Sequence, residues 1–514
     1  MRIPLVNLRS GALFACLISL LPAAHGELRV SSIFSPNAVL QQGRPIPVWG
    51  WAEAGEEISV EFRGKSVRTT AANGRWSVAL PAQRPGTPST LTIRGGHELI
   101  TLTNILVGEV WVCSGQSNME WPLSRSENPQ GTIDEARYDE IRLFTVPKLR
   151  SETPVDDVRA SWQLCRPETV PNFSAVAYYF GLALSKARGV PIGLIHTSWG
   201  GSPAEVWIRE SVMASMPEFK SDILDKYPEQ KRAYEASVAE WEKEAADLRA
   251  QGKQPTRGRP WATWRPAELY NGMIHPILPY AIAGAIWYQG ESNAGRADQY
   301  SRLFPTMIQN WREDWGQGNF PFLAVQLAPW DKARRRTLEA ITEKPGESDW
   351  AELREAQLLT THLLPKVGMA VITDVGDKDD IHPIKKREVG DRLALAARGI
   401  AYKERITYSG PEFRKMSVSR GQAVLSFDNT GKGLESRGGS LRGFQICGGD
   451  RVWHWADARI DGRKVEVSCP AVEKPIAVRY GWSDFPVVNL YNLDGLPATP
   501  FRTDNFPMTT ARKP

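Results

Sequence analysis

Apolar runs of strand length recur through the middle of the chain, and segments with helical or polar patterns separate them. The runs cover 106–113, 193–197, 282–288, 322–327 and 368–373. Between the first two, apolar side chains recur at helical spacing over 172–189, and Gly189 followed by Pro191 predicts the end of that helix. Alternation of this kind predicts an α/β fold with a mostly parallel, doubly wound sheet covered by helices on both faces.

Shorter β-type runs, broken by Gly, Pro and Asn, flank this middle region on both sides. Before it they predict a β-sandwich-like domain at 27–105, with a hairpin turn at Asn73-Gly74. After it they predict a second β domain at 403–514, or strands that complete the first. The middle domain is then 106–402, and a charged, Trp-containing insertion at about 203–268 interrupts it.

Residues 1–26 have the layout of a secretory signal peptide, because Arg2 and Arg9 precede an apolar stretch that ends in small residues. The stretch is too short for a membrane span. We therefore expect export to the periplasm or the extracellular space, and no transmembrane segment. Removal of the peptide lowers the formal net charge from +5 to +3, and no Lys/Arg stripe is evident, so nucleic acid is not the expected partner. The sequence does not predict the oligomeric state.

Four widely spaced cysteines remain after cleavage: Cys113, Cys165, Cys447 and Cys469. Their spacing excludes a zinc knuckle and is too sparse for a disulfide-built scaffold. An exported chain could still form one or two bridges, and Cys447 with Cys469 is the favoured pair. Cys113 is interpreted as a buried strand residue.

Polar residues follow four of the five predicted strands. They are Ser117 after the first, Gly200-Gly201 after the second, Gln289 after the third and Asp379-Asp380-Ile381-His382 after the last. The carboxyl ends of parallel strands meet at one edge of a sheet, so these residues are expected to converge. Ser117 alone is equally well explained as part of a tight turn. The combination favours a serine esterase, which needs a nucleophile, a base, an acid and oxyanion donors.

Among the histidines, His382 is the candidate base because acids precede it at a polar strand end. His196 lies within an apolar strand and His275 in a non-polar context, so both are interpreted as structural. No two histidines have the close spacing of a zinc site, so a metal-dependent mechanism is not expected.

Several motifs resemble the sialate O-acetylesterase family, a branch of the SGNH hydrolases. The resemblance covers at least 107–392 and includes Gly115-Gln116-Ser117-Asn118-Met119, Trp287-Tyr288-Gln289-Gly290-Glu291-Ser292-Asn293 and Asp380-Ile381-His382-Pro383. It implies a flavodoxin-like α/β/α sandwich and an enzyme that removes acetyl groups from carbohydrates without a cofactor.

The same resemblance implies roles for individual residues. Ser117 would be the nucleophile and His382 the general base, while the backbone amides of Ser117 and of the Gly200-Gly201 turn would bind the oxyanion. The third motif departs from the usual Gly-x-Asn of SGNH hydrolases. Gln289 is assigned the side-chain donor role there, with Asn293 as the alternative, and Glu291 is a possible acceptor behind the site.

Two acids precede the candidate base. The Asp-x-x-His spacing common among SGNH hydrolases selects Asp379, which is the preferred partner, whereas the Asp-Ile-His form of the sialate-type members selects Asp380. Both assignments stay open at this stage.

Two other classes of protein compete with this interpretation. A non-catalytic carbohydrate-binding protein could share the fold, but it would not need Ser117 and His382 together. An α/β-hydrolase is disfavoured because the Gly-x-Ser-x-Gly elbow is absent around Ser117. The substrate stays open between acetylated sialic acid and acetylated plant polysaccharides. Trp261 and Trp264 could line a sugar groove, although packing is the preferred interpretation.

Overall fold

The computed structural model describes residues 27–512, and the signal-peptide prediction therefore lies outside the described residues. The protein is a mixed α/β molecule with one large sheet and further β-sheet regions. Its first strands are β1 Arg29–Val30, β2 Val39–Gln41, β3 Ile46–Trp51, β4 Glu57–Phe62, β5 Lys65–Thr70, β6 Arg75–Leu80 and β7 Ser89–Gly95.

The Asn73-Gly74 turn forms, and both of its residues have positive φ. The hairpin predicted around it does not extend into a sheet. An isolated bridge joins Ala72 to Arg75 across the turn. Strand β5, before the turn, pairs with β4, whereas strand β6, after the turn, pairs with β3. The turn chemistry is thus correct, but the two strands separate because each pairs with an earlier strand.

Strand β8, Glu98–Gly115, connects the N-terminal strands to the large sheet. Its first half is antiparallel to β7, and its second half runs parallel to β2 and then to strands of the central region. One strand therefore crosses position 105, where the sequence predicts a domain boundary.

The central part of the large sheet has the order β10-β9-β11-β8-β12-β13-β14. β10 is antiparallel to β9, and the other neighbours in this order are parallel. The central strands are therefore mostly parallel, as predicted, whereas the 11-stranded sheet as a whole is mixed because β4, β5 and β7 join it in antiparallel pairs. The added strands are β9 Tyr138–Thr145, β10 Gln163–Cys165, β11 Ile192–Ser198, β12 Gly284–Tyr288, β13 Phe322–Val325 and β14 Val367–Ala370.

The α-helices of the described chain are α1 Ser117–Glu120, α2 Pro129–Asp134, α3 Ala175–Arg188, α4 Glu210–Ala214, α5 Pro217–Phe219, α6 Tyr227–Ala250, α7 Ala297–Trp315, α8 Leu338–Thr342, α9 Asp349–Leu363 and α10 Lys386–Ile400. Helix α3 begins where the Ser174 hydroxyl accepts a hydrogen bond from Ala177 N at 3.1 Å, and it ends at left-handed Gly189.

Helices cover both faces of the central sheet. Apolar residues of α3 and α10 share a hydrophobic core with Trp111 and Tyr288 on one face. Residues of α7 and α9 share the second core with Trp287 and Phe322 on the other face. Since strand side chains alternate between faces, Trp287 and Tyr288 enter opposite cores. This layered packing fixes the strand ends that carry the site.

The chain ends in strands that pair with one another, not with the N-terminal strands. Arg354 of α9 ties this region to the α/β part by donating to the carbonyls of Ser483 and Asp484 at 2.7 and 2.8 Å. The strands are β15 Glu412–Ser419, β16 Gln422–Asp428, β17 Leu434–Ser436, β18 Phe444–Cys447, β19 Trp453–Trp455, β20 Asp457–Asp461, β21 Lys464–Ser468, β22 Ala477–Tyr480, β23 Leu490–Asn492 and β24 Phe501–Arg502.

The four described cysteines are free thiols, so the pairing of Cys447 with Cys469 favoured by the sequence is not formed. Cys113 is buried in β8, as expected. Within residues 27–512, none of the helices combines the length and apolar character needed to span a bilayer.

Candidate active site

The backbone geometry at the end of β8 presents Ser117. A Cβ atom on Gly115 would lie 2.2 Å from the carbonyl oxygen of Tyr288 in the neighbouring strand β12, and the φ angle of Gly115 is 141°. Both observations require glycine at this position. The chain then turns, and Ser117 begins the short helix α1 with its Oγ 2.9 Å from His382 Nε2. The predicted nucleophile and base are therefore in hydrogen-bond contact.

His382 lies on the loop between β14 and α10, and its ring stacks on Trp121 with centroids 5.1 Å apart. Burial lowers the pKa of His382 below its ordinary value. Asp380 acts in the opposite direction, whereas the cations Lys386 and Arg125 add to the lowering. The net effect favours the neutral imidazole, which is the form able to accept a proton from a serine.

Asp380, and not Asp379, lies next to the imidazole. Its Oδ1 is 3.5 Å from His382 Nδ1 and accepts a hydrogen bond from His382 N at 2.8 Å. Asp379 instead pairs with Lys378 and accepts from Arg335 N at 3.2 Å. This arrangement is the reverse of the sequence-based preference. The residue before Pro383 is biased to an extended conformation, in which side chains two positions apart point to the same side.

The glycine turn after β11 approaches the serine closely, since a Cβ atom on Gly200 would lie 3.3 Å from Ser117 Cβ. Gly200 N donates to Glu120 Oε2 at 2.6 Å, and Lys148 Nζ donates to the other oxygen of the same carboxylate at 2.6 Å. The predicted amide donor is thus near the nucleophile, and in this state a carboxylate occupies it.

Gln289 and Asn293 are both buried and bonded to each other, Gln289 Nε2 donating to Asn293 Oδ1 at 2.6 Å. Gln289 Oε1 accepts from Tyr300, and Asn293 Nδ2 donates to Glu205 at 3.0 Å. Asn293 Oδ1 also accepts from Ala204 N at 2.9 Å. These contacts brace the chain after the glycine turn, and the structure brings neither carboxamide to the Ser117 hydroxyl.

The two histidines interpreted as structural make contacts that fit that interpretation. His196 is buried in β11 with Nε2 2.6 Å from Ser198 Oγ, and burial lowers the pKa of His196 to about 4. His275 Nδ1 lies 2.9 Å from the carbonyl oxygen of Val155. Residues 27–512 contain no cluster of three His, Cys, Asp or Glu side chains arranged to hold a metal ion.

The predicted strand ends do converge on one cleft. It has a volume of about 760 Å³ and is lined by Gln116, Ser117, Arg150, Trp199, Gly200, Gly201, Trp261, Ala262, Trp264, Glu291, Ser292, Trp330, Trp350, Ile381 and His382. Its walls are therefore rich in indole rings.

Packing is the wrong interpretation for Trp261, because 95% of its surface is exposed. Trp264 does pack, edge to face against Trp199 with ring centroids 5.7 Å apart, while also lining the cleft. The insertion therefore contributes two indole rings to the site: that of Trp261, which is exposed, and that of Trp264, which packs against Trp199.

Sequence reasoning missed several residues of the site. Trp330 follows β13, and the strand-end argument used for the other four strands would have found it. Glu120 and Lys386 carry no comparable signal, since a lone polar residue in a helix usually faces solvent, and Asn118 stands in the first motif without a role that the motif assigns. Their contacts depend on the three-dimensional arrangement of separate loops.

Comparisons with known proteins agree with this geometry. Residues 248–398 match the family described as "Carbohydrate esterase, sialic acid-specific acetylesterase". The sialate O-acetylesterase of Mus musculus is 28% identical, covering 88% of this chain and 90% of its own; that of Homo sapiens is 27% identical, covering 92% of each. The crystal structure of a carbohydrate acetylesterase from Xanthomonas citri is 38% identical with a TM-score of 0.79, covering 93% of this chain and 100% of its own.

These similarities, together with the Ser117–His382 contact, define the class of the protein as a carbohydrate esterase and hence a carboxylic ester hydrolase. Within that class the chain belongs to the carbohydrate acetylesterases, and over most of its length it is similar to the sialate O-acetylesterases. The resemblance seen in the motifs is thereby confirmed, and the non-catalytic alternative is not favoured.

Proposed function

We propose that this esterase removes O-acetyl groups from carbohydrates through an acyl-enzyme formed on Ser117. The observation that carries the proposal is the 2.9 Å contact between Ser117 Oγ and His382 Nε2, both of which line the cleft. Neutral His382 takes the proton of Ser117 as the oxygen attacks the acetyl carbonyl, and then gives it to the sugar oxygen as its bond to the acetyl carbon breaks, so that the sugar leaves with a free hydroxyl. Water activated by His382 then releases acetate and restores the serine.

Asp380 is the acid of this mechanism. Its carboxylate faces His382 Nδ1, so it stabilises the imidazolium that forms when Ser117 loses its proton. The oxyanion would accept hydrogen bonds from the backbone amides of Ser117 and the Gly200-Gly201 turn. For Gly200 N to take part, the Glu120 carboxylate must leave it when substrate binds.

The indole rings of the cleft support a carbohydrate substrate. Aromatic faces pack against the apolar faces of sugar rings, and Trp261 is almost fully exposed for such a contact. The relatives named above are two sialate O-acetylesterases and a carbohydrate acetylesterase. Acetylated sialic acid and acetylated polysaccharide are both candidate substrates, and acetate release from a panel of acetylated glycans would separate them.

We further propose that the central domain is a flavodoxin-like SGNH sandwich. Numbered along the chain among themselves, the five strands β11-β8-β12-β13-β14 follow the order 2-1-3-4-5, which is the flavodoxin-like order. Strand β9 adds a further parallel strand beside β11, outside this set of five. Export through cleavage near residue 26, to the periplasm or the extracellular space, is proposed on the sequence pattern.

Replacement of Ser117 by Ala tests the mechanism. Acetate release should fall by a factor on the order of a million, because the nucleophile and base act as a unit. Ser124→Ala is the matched control, since Ser124 lies nearby in sequence and is exposed. If Ser117→Ala folds normally and keeps more than about a tenth of the activity, Ser117 is not the nucleophile.

A further inference from the structure

Asn118, the residue after the nucleophile, is buried and uses its carboxamide to join three other segments. Asn118 Nδ2 donates to Glu291 Oε1 at 2.7 Å and to the carbonyl oxygen of Ile381 at 3.0 Å. Asn118 Oδ1 accepts from Lys386 Nζ at 2.6 Å. The side chain therefore links α1 to the motif after β12, to the loop of the catalytic histidine and to helix α10.

The chemistry of these partners allows one orientation of the carboxamide. The Lys386 ammonium group can only donate, whereas the Ile381 carbonyl and an ionised Glu291 carboxylate can only accept. A flipped Asn118 would place its NH₂ group against an ammonium and its oxygen against two acceptors. The position of the Asn118 side chain is therefore fixed by all three partners together.

This linkage spans the reacting pair. Asn118 directly follows Ser117, and Ile381 directly precedes His382, so the bond from Asn118 Nδ2 to the Ile381 carbonyl ties the two loops next to the reacting atoms. A displacement of either loop would lengthen the 2.9 Å contact between Ser117 Oγ and His382 Nε2.

Lys386, which donates to the carboxamide oxygen of Asn118, is itself buried. Its side chain is 1% exposed, and its ammonium group lies 5.4 Å from the ring centroid of Tyr288 and 5.6 Å from that of Trp121. Burial lowers the pKa of Lys386 to about 7, against the opposing effect of the Glu291 and Asp380 carboxylates. A lysine in such surroundings is costly, and its retention calls for a functional reason.

We propose that Lys386 is a positioning residue of the esterase, which acts through Asn118 to hold Ser117 and His382 at reacting distance. The proposal rests on the roles of Ser117 and His382 proposed above. Lys386 does not line the cleft, so it acts on the rate of the chemical step and not on substrate binding.

The charge of Lys386 gives this role a second signature. His382 faces Asp380, Lys386 and Arg125 and stacks on Trp121. In the acidic range where His382 titrates, Lys386 is protonated and disfavours the imidazolium. Loss of that positive charge therefore raises the pKa of His382 and moves the acid limb of the rate profile to higher pH.

The test compares Lys386→Met with Lys385→Met, which makes the same change one residue earlier at an exposed position. Lys386→Met should lower kcat by roughly 10- to 100-fold, as expected for a small misplacement of reacting groups, and leave KM unchanged. The acid limb of kcat/KM should move up by roughly half a pH unit or more. Lys385→Met should behave like the unmodified enzyme in all three measurements.

Two results would overturn the proposal. The first is an unchanged kcat in Lys386→Met. The second is a fall in both kcat and thermal stability while the acid limb of kcat/KM stays in place, because that combination indicates a purely structural role. If Lys386→Met does not fold, Asn118→Ala decides. It should lower kcat with KM and the acid limb unchanged, because Lys386 keeps its charge, and full activity would refute the linkage. Ser117→Ala, run alongside, reports separately on the proposed mechanism, since its activity depends on neither Lys386 nor Asn118.

Discussion

Asp380→Asn removes the negative charge that lies 3.5 Å from His382 Nδ1 while keeping the shape of the side chain. The substituted carboxamide can still accept the hydrogen bond from His382 N, so the loop should keep its fold. What is lost is the stabilisation of the imidazolium that forms in the transition state. The change therefore isolates the electrostatic role of the acid.

The expected loss follows from the distance and the exposure. Two unit charges 3.5 Å apart attract by about 1.2 kcal/mol at a dielectric constant of about 80 and by about 4.7 kcal/mol at about 20. The Asp380 side chain is 57% exposed, so solvent screening favours the lower part of this range. A loss of about 1.4–2.8 kcal/mol corresponds to a fall of roughly 10- to 100-fold in kcat/KM. Replacing the buried aspartate of a Ser-His-Asp triad by asparagine lowers kcat further, by about 10⁴-fold.

The assay is acetate release under initial-rate conditions, with Asp379→Asn measured in parallel. Asp379 is held by Lys378 and Arg335, away from the imidazole, so its substitution should change kcat/KM by less than about threefold. A larger loss in Asp379→Asn than in Asp380→Asn would refute the assignment and restore the spacing Asp-x-x-His as the working one.

Two further predictions concern the pH profile and the cleft. The acid limb of kcat/KM should lie below the ordinary pKa of about 6.5 for an imidazole, because burial and nearby cations lower the pKa of His382. A pH–rate profile whose acid limb lies above about 6.5 would contradict the assignment of neutral His382 as the base. Trp261→Ala should raise KM for acetylated glycans by roughly 3- to 10-fold, leave hydrolysis of a small aryl acetate unchanged and leave the melting temperature unchanged, since the indole is exposed. An unchanged KM for every glycan in the panel would show that this indole does not contact the substrate.

The hydrophobic pattern was sufficient to predict the central strands, because strands buried on both faces appear as continuous apolar runs. It missed β9, whose first half includes Asp139 and Glu140, so that its apolar part is short. It also placed a hairpin at Asn73-Gly74, where local turn chemistry was right but the strand partners were distant in sequence. Local signals identify elements better than they identify partners.

For the site, the ends of the strands predicted which residues meet, including Ser117, Gly200 and His382. They did not predict what each carboxamide or carboxylate bonds to. Gln289 was given a donor role because of its place in a motif, whereas its polar atoms are committed to Asn293, Ser202 and Tyr300. The hydrogen-bond partners Ser202 and Tyr300 come from other segments of the chain, so the spacing of residues within one motif does not predict them.

Strand β8 carries a consequence for how the family can vary in length. It runs from Glu98 to Gly115 with one bulge near Asn104, where φ is positive and the register with β7 shifts. From Leu106 to Gly115 the register with β2, β11 and β12 is continuous. Inserting or deleting one residue in this second half would shift the hydrogen-bond register and turn the following side chains to the opposite face. Changes in length should accumulate in the loops between strands and at the bulge, whereas the segment from Leu106 to Gly115 should keep its length even where its side chains diverge.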